Sequence, residues 1–363
     1  PITFLPLPQL KQMGNFVIDV NPFENITLSL EYAGSLWDKN RLSDLDDGNN
    51  YGYARNISLK VVPTQILLGE LDLGKAGLNY RDRFIQGKFT SLDRYDDVEF
   101  NRNYNSVSQN ELQDESLREI GVSLQPIKEL FINSNAGFLR KGDDFSSDRY
   151  NNTIRFTDVN TYNIEYNLDY VKTNTSTLKS NWLRHKGNAF YLLWQLKPGL
   201  EFLAEDKQDK RSKNDSLLTG SLKYFEYSPY IELREISGFR MLTRYSLRDD
   251  YLPLNGVMVK ESKSKTYSLE MNYAGIREVN TNLVLTFRSK KYEELYKTKG
   301  FLDNETILIR SRTKFTFWDR LLNGDLYYEV STQKSARLQK VFVRVEQGTG
   351  NYIYLGDLNN NGI

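Results

Sequence analysis

Apolar and polar residues alternate one by one along most of this chain. From Ile26 to Leu36, the residues Ile26, Leu28, Leu30, Tyr32 and Leu36 share one parity, with Gly34 among them. Thr27, Ser29, Glu31, Ala33 and Ser35 share the other. Successive side chains of a β-strand point to opposite faces, so this segment makes a strand with one dry face and one wet face. Tyr162, Ile164, Tyr166, Leu168 and Tyr170 repeat the pattern against Asn163, Glu165, Asn167 and Asp169. Ile307, Ile309, Phe315 and Phe317 do so against Arg310, Arg312, Lys314 and Thr316. Shorter versions are Ile57, Leu59 and Val61, then Ile120, Val122 and Leu124, then Tyr267, Leu269, Met271 and Tyr273. No apolar stripe at helical spacing persists for a dozen residues. The polar parity also excludes a parallel α/β sheet, whose strands are apolar on both faces.

Composition sharpens the choice among antiparallel folds. Apolar residues are 39%, charged residues 26% and the mean hydropathy is −0.58, values that read as soluble. No run approaches the roughly 20 apolar residues of a membrane helix. Yet aromatics reach 13%. A transmembrane β-barrel explains both facts, because its strands alternate and its aromatics form girdles. Tyr32, Trp37, Tyr162, Tyr170, Trp182, Trp194, Tyr245, Tyr267, Tyr273, Phe317 and Trp318 are the expected girdle residues. In a soluble sandwich the same rings would be core or a sugar-stacking platform. Lys plus Arg total 48 against 47 acids, for a net charge of +1. That balance gives no support to a nucleic-acid partner.

The connections fall into two sets. Short ones are expected at Pro22 to Asn25, Pro63-Thr64, Pro126 to Glu129, Lys197-Pro198-Gly199 and Asp319 to Asn323. Long, charged ones are expected at Asp38 to Tyr51, Gln86 to Ser116, Glu205 to Ser216, Arg248 to Lys265 and Ser289 to Glu305. Short turns at one end and long loops at the other are the habit of outer-membrane barrels. The expected fold is therefore all-β: an antiparallel up-and-down transmembrane β-barrel, or an open arc of a larger one, with about 14–18 strands. No composition shift divides the chain, so residues 1–363 read as one barrel region. Without an initiator Met or a signal peptide, the chain reads as a piece of something longer.

Three segments resemble large outer-membrane β-barrel proteins of Bacteroidota. Glu31-Tyr32-Ala33 precedes the acidic stretch Ser43 to Asn50. Leu92 to Arg102 is similar to an acidic loop of such barrels, and Val341 to Tyr352 leads into Gly356-Asp357-Leu358-Asn359-Asn360-Asn361-Gly362. The best-known giant of that group is the translocon of the type nine secretion system. The resemblance implies an outer-membrane location, lipid as the surrounding partner, and other secretion or surface proteins as further partners. It implies a pore, translocon segment or surface anchor rather than an enzyme.

Few constellations carry chemistry. Asp357, Asn359, Asn361 and Gly362 match the start of a calcium loop, which needs oxygen ligands at alternate positions. The twelfth-position Glu would lie beyond Ile363, so Ca²⁺ is expected only in a longer parent; the alternative is an Asn/Gly turn. Asp44, Asp46 and Asp47 before Gly48 read mainly as a solvated loop. Asp93, Arg94, Asp96, Asp97, Glu99 and Arg102 crowd the longest loop. They suit either a plug or constriction folded into the barrel or an exposed loop with weak ion pairs. Arg240, Arg244 and Arg248 occupy one strand face, as do Arg310, Arg312 and Lys314. Turned to lipid they would be costly, so they should face the lumen, setting ionic selectivity or pairing with neighbouring acids. Cysteine is absent, which removes thiol nucleophiles and Cys-bound metals. His185, the sole histidine, sits between Arg184 and Lys186 and reads as a rim or lumen residue rather than a catalyst. A soluble or surface-attached β-sandwich that binds polysaccharide through exposed aromatics remains the alternative function.

Overall fold

The computed structural model describes residues 7–335, apart from 44, 46, 47, 49, 107–112 and 159. These residues are all-β, with sixteen antiparallel strands in one sheet in strict sequence order. They are β1 (Leu10–Phe23), β2 (Ile26–Asp38), β3 (Tyr51–Leu68), β4 (Leu71–Ile85), β5 (Glu115–Ile127), β6 (Leu130–Lys141), β7 (Phe145–Asp158) and β8 (Tyr162–Asn174). There follow β9 (Leu178–Tyr191), β10 (Leu196–Arg211), β11 (Leu222–Ile236), β12 (Phe239–Leu254), β13 (Val257–Ile276), β14 (Val279–Tyr292), β15 (Asn304–Phe317) and β16 (Leu322–Ser335). Two single-turn helices, α1 (Phe100–Asn103) and α2 (Glu294–Lys297), lie in loops. The strand number falls inside the expected range. β1 and β16 do not pair with each other, so the sheet is open among the described residues.

Register converts the alternation into two continuous faces. Ile18 opposes Leu30, which opposes Ile57, and all three share a face. Leu28, Leu59, Tyr80, Ile120, Ala136 and Tyr150 follow one another across β2 to β7 on that same face. These apolar rows are uncovered: Leu28 is 44% exposed, Ile120 43%, Ile164 50% and Ile231 47%. No second sheet packs on them among the described residues. The sandwich alternative needs these rows buried between two sheets, and they are not. The main buried apolar cluster, Phe100, Tyr104, Leu117, Leu139 and Phe145, lies on the opposite, polar face.

The hydrogen-bonded rows run obliquely across the sheet. One row starts at Ile26, the first residue of β2 after a short turn. It passes through Val61, Leu78, Val122, Ser134, Asn152 and Leu168. It continues through His185, Ala204, Phe225, Asp249 and Lys263 to Lys291, beside the last residue of β14 before a long loop. A row that climbs from the turn end to the loop end means staggered, tilted strands, the geometry that barrels require. The same row goes from aliphatic to charged, so the apolar band keeps its level while the strands slide past it.

Several turns differ from expectation, each for a physical reason. Pro63-Thr64 lies inside β3, at a register shift between Val61 and Thr64. A bulge tolerates the missing N–H of proline, so the turn moves to residues 69–70. Lys197-Pro198-Gly199 belongs to β10, where pairing with β9 begins only at Gly199, so Pro198 interrupts no bond on that side. Arg248 to Lys265 is not a long loop but the tall β12–β13 hairpin, closed at Asn255-Gly256. Both turn residues have positive φ, 51° and 82°, the type I′ geometry for which Asn-Gly is the strongest short signal. The long loops thus reduce to residues 39–50, 86–114, 212–221 and 293–303, all at one end.

Candidate functional site: a loop laid on the polar face

The loop after β4 does not project outward. Its residues fold back on the polar face and touch strand after strand. Lys11 of β1 donates from Nζ to the Ser91 carbonyl at 2.6 Å. The Thr90 N–H bonds Ser35 Oγ of β2 at 2.9 Å. Gly52 of β3 lacks a Cβ where the Phe89 backbone passes. Arg83 of β4 then clamps the loop, donating to Asp96 at 2.8 Å and to Glu115 of β5 at 2.6 Å. Lys141 of β6 completes the knot, 3.1 Å from Glu115. Arg83 and Glu115 are nearly dry, with side-chain exposures of 7% and 8%.

Past α1 the loop is anchored by Tyr104, which is 2% exposed. Its phenol donates to Glu119 Oε1 of β5 at 2.6 Å. Its carbonyl accepts from Ser147 Oγ of β7 at 2.6 Å and from Thr173 Oγ1 of β8. Its ring occupies the place a Cβ on Gly137 of β6 would take, so glycine there is a docking requirement. Phe100 packs 5.1 Å from Tyr104 and beneath the Arg83 guanidinium, also at 5.1 Å. Burial and the adjacent Glu119 carboxylate push the Tyr104 phenol well above the ordinary tyrosine range. A raised value means the docked loop favours the neutral phenol. Its contribution is intact below the ordinary value near pH 10 and is lost as pH rises through the raised one. Alkaline titration of phenolate absorbance should therefore lose one of its late-titrating tyrosines in Tyr104→Phe. An unchanged curve in that variant would contradict the burial.

The predicted loop residues are not equivalent. Asp96 is bound to Arg83. Arg94 donates to the Asp97 carbonyl at 2.8 Å, stabilising the turn into α1. Glu99 and Arg102 form a solvated pair at 3.4 Å with side-chain exposures near 60%, worth little. Asp93 is exposed. The strand residues that hold the loop, Arg83, Glu115, Glu119, Gly137 and Ser147, escape sequence reading because they are separated along the chain and meet only through register. Phe100 and Tyr104, two aromatics inside an otherwise charged loop, are the signal in the sequence that the loop is ordered.

All the predicted basic residues lie on the polar face, and the five arginines among them are paired with acids. Arg240 meets Glu232 at 2.8 Å and Arg244 meets Glu201 at 2.9 Å, two strands away. Arg248 meets Asp250 at 2.8 Å. Arg310 bonds Glu329 at 3.0 Å, and Arg312 grips Asp325 through two nitrogens. Further along, Arg149 and Arg184 share Asp169, at 2.9 Å each. His185 is a correction: it lies on the apolar face in the row between Leu168 and Ala204, not on the rim or the polar face. Tyr166 Oη sits 3.0 Å from its Nδ1 and Phe202 edges its ring. Trp182 and Trp37 are also corrections to the girdle. Both belong to the polar face, Trp182 donating to Glu205 at 2.7 Å and Trp37 lying under Lys11 and Lys39. Tyr32, Tyr170, Tyr245, Tyr267 and Tyr273 do lie on the apolar face. Asp44, Asp46 and Asp47, and Asp357, Asn359 and Asn361, fall outside the described residues. Among the described residues, no three metal-binding side chains converge.

No protein-family model and no curated protein sequence matches the chain. Among solved structures it is similar to the Pseudomonas aeruginosa protein OccK9 (OpdG). The identity is 10% and the TM-score 0.38, over 90% of this chain and 87% of that one.

Proposed function

We propose that this chain is the wall of an outer-membrane β-barrel pore without catalytic activity, with residues 86–106 narrowing its passage. The observation that carries the reading is the pairing of two faces on one tilted sheet. One face is apolar and bare, larger than a soluble protein leaves to water. The other holds paired charges and a docked loop. Lipid tails on the first and water on the second satisfy both. Outer-face charges support the same placement, because they collect at the loop end. Asp82 lies between Arg55 and Arg118 there, and Arg140 meets Asp148. Solute passage suits this arrangement better than a translocon segment or surface anchor, since a docked loop serves to restrict a channel.

Closure would come from β1 and β16, directly or through further strands of a longer parent chain. In such a parent, Asp357, Asn359 and Asn361 would begin a Ca²⁺ loop, and secretion or surface proteins would be partners in a Bacteroidota-type envelope. The protein purified in detergent should migrate faster on a gel unheated than boiled and should give discrete conductance steps in planar bilayers. A chain that stays monodisperse in water without detergent and conducts nothing would defeat the proposal.

A further inference from the structure

Below the docked loop the polar face carries a hollow of about 440 Å³. That volume falls within the range of small-molecule sites. One hydrogen-bonded row forms its floor: Asn79 on β4, Gly121 on β5, Asn135 on β6 and Asn151 on β7. Tyr104 closes the hollow on the loop side. A Cβ on Gly121 would meet Asn135 Oδ1, so the glycine lets that carboxamide lie over β5. The Asn79 and Asn135 backbones stand two strand spacings apart, about 9–10 Å.

The charges around the hollow are already engaged. Arg81 donates to Asn56 at 2.9 Å and lies 3.6 Å from Glu119, while Glu119 accepts from Tyr104. Arg149 is bound through two nitrogens to Asp169. Lys60, at the β3 end of the same row, is exposed to water. The carboxamides of Asn79, Asn135 and Asn151 form no hydrogen bond with protein groups among the described residues, although Asn135 and Asn151 oppose each other directly. Each offers two donors and an acceptor. Unspent neutral amides beside spent charges match groups that both donate and accept, which is the chemistry of hydroxyls.

We infer that the Asn79–Asn135–Asn151 row is a binding site for a neutral polyhydroxylated solute, a mono- or disaccharide. The inference deepens the pore reading by naming a solute class, but it needs only that the polar face be wet. Its test is accordingly one of binding, not of passage. The detergent-purified chain should be titrated calorimetrically with maltose, cellobiose and lactose, and with succinate as an anionic control. At least one disaccharide should bind. Asn79→Ala, Asn135→Ala and Asn151→Ala should each weaken that binding about three- to tenfold. Gly121→Ala should weaken it too, with all three amides still present. Asn280→Ala, on the polar face of β14, should leave it unchanged. Heat-modifiable migration identical to the parent shows that each variant is folded. Failure of all three sugars to bind folded protein would overturn the inference, as would succinate binding that depends on Lys60 alone. Sugar binding by a chain that forms no channels would uphold this site and sink the pore.

Discussion

Leu30→Arg should block assembly, whereas Ser29→Arg, one residue away, should be tolerated. Leu30 lies on the bare apolar face between Ile18 and Ile57, within the aliphatic part of β2. If lipid tails solvate that face, an arginine there costs about 2–4 kcal/mol at the bilayer midplane. Ser29 points to the polar face, between Asp19 and Ser58, where a guanidinium finds water and a carboxylate. The measurement is the heat-modifiable fraction after refolding into detergent or liposomes. Equal folding of both variants would contradict the assignment of faces. The contrast matters more than either result alone, because the residue introduced is the same and only the face differs.

Arg83→Ala should release the loop. Among the described residues its guanidinium alone bridges Asp96 and Glu115, and it does so in a nearly dry site. Removing one member of a buried ion-pair network leaves carboxylates desolvated, at a cost of about 3–5 kcal/mol. The sheet does not depend on this site, since β4 and β5 stay paired through a continuous ladder from Lys75 to Ile85. The expected result is a folded protein whose 86–106 segment is cleaved rapidly by trypsin and whose conductance is raised. Gly137→Val reaches the same end by another route, filling the place of the Tyr104 ring. If both variants keep parental conductance and protease resistance, the segment does not restrict a channel.

Much of the fold was legible because one period dominates. The alternation of Ile26 to Leu36 and of Tyr162 to Tyr170 specified strands and faces, and register only joined them. The loop end was legible in part. Asp38 to Tyr51 and Gln86 to Ser116 are loops, but Asn255-Gly256 turns a charged stretch into a hairpin. That dipeptide was present in the sequence, and its turn geometry outweighs the charge around it. His185 and Trp182 were misplaced for a shared reason. They lie three residues apart in β9 and so have opposite parity, and a strand carrying Leu183, Arg184, His185 and Lys186 in succession shows no clear alternation. The loop anchor was hidden because Arg83, Glu119, Gly137 and Ser147 sit on four strands, and only the ladder brings them under one tyrosine. The amide row was hidden likewise, since asparagine in a strand looks like any wet-face residue until its neighbours are known.

The central claim, that lipid bathes the bare face, has a direct measurement. Nitroxide labels placed singly from Ile26 to Leu36 in the liposome-reconstituted protein report collision with oxygen and with a water-soluble relaxing agent. The account predicts period-two reversal: even-numbered positions open to oxygen and shielded from the aqueous agent, odd-numbered ones the opposite. Even-numbered sites that either reagent reaches as it would from water, or that neither reaches because protein covers them, would contradict it.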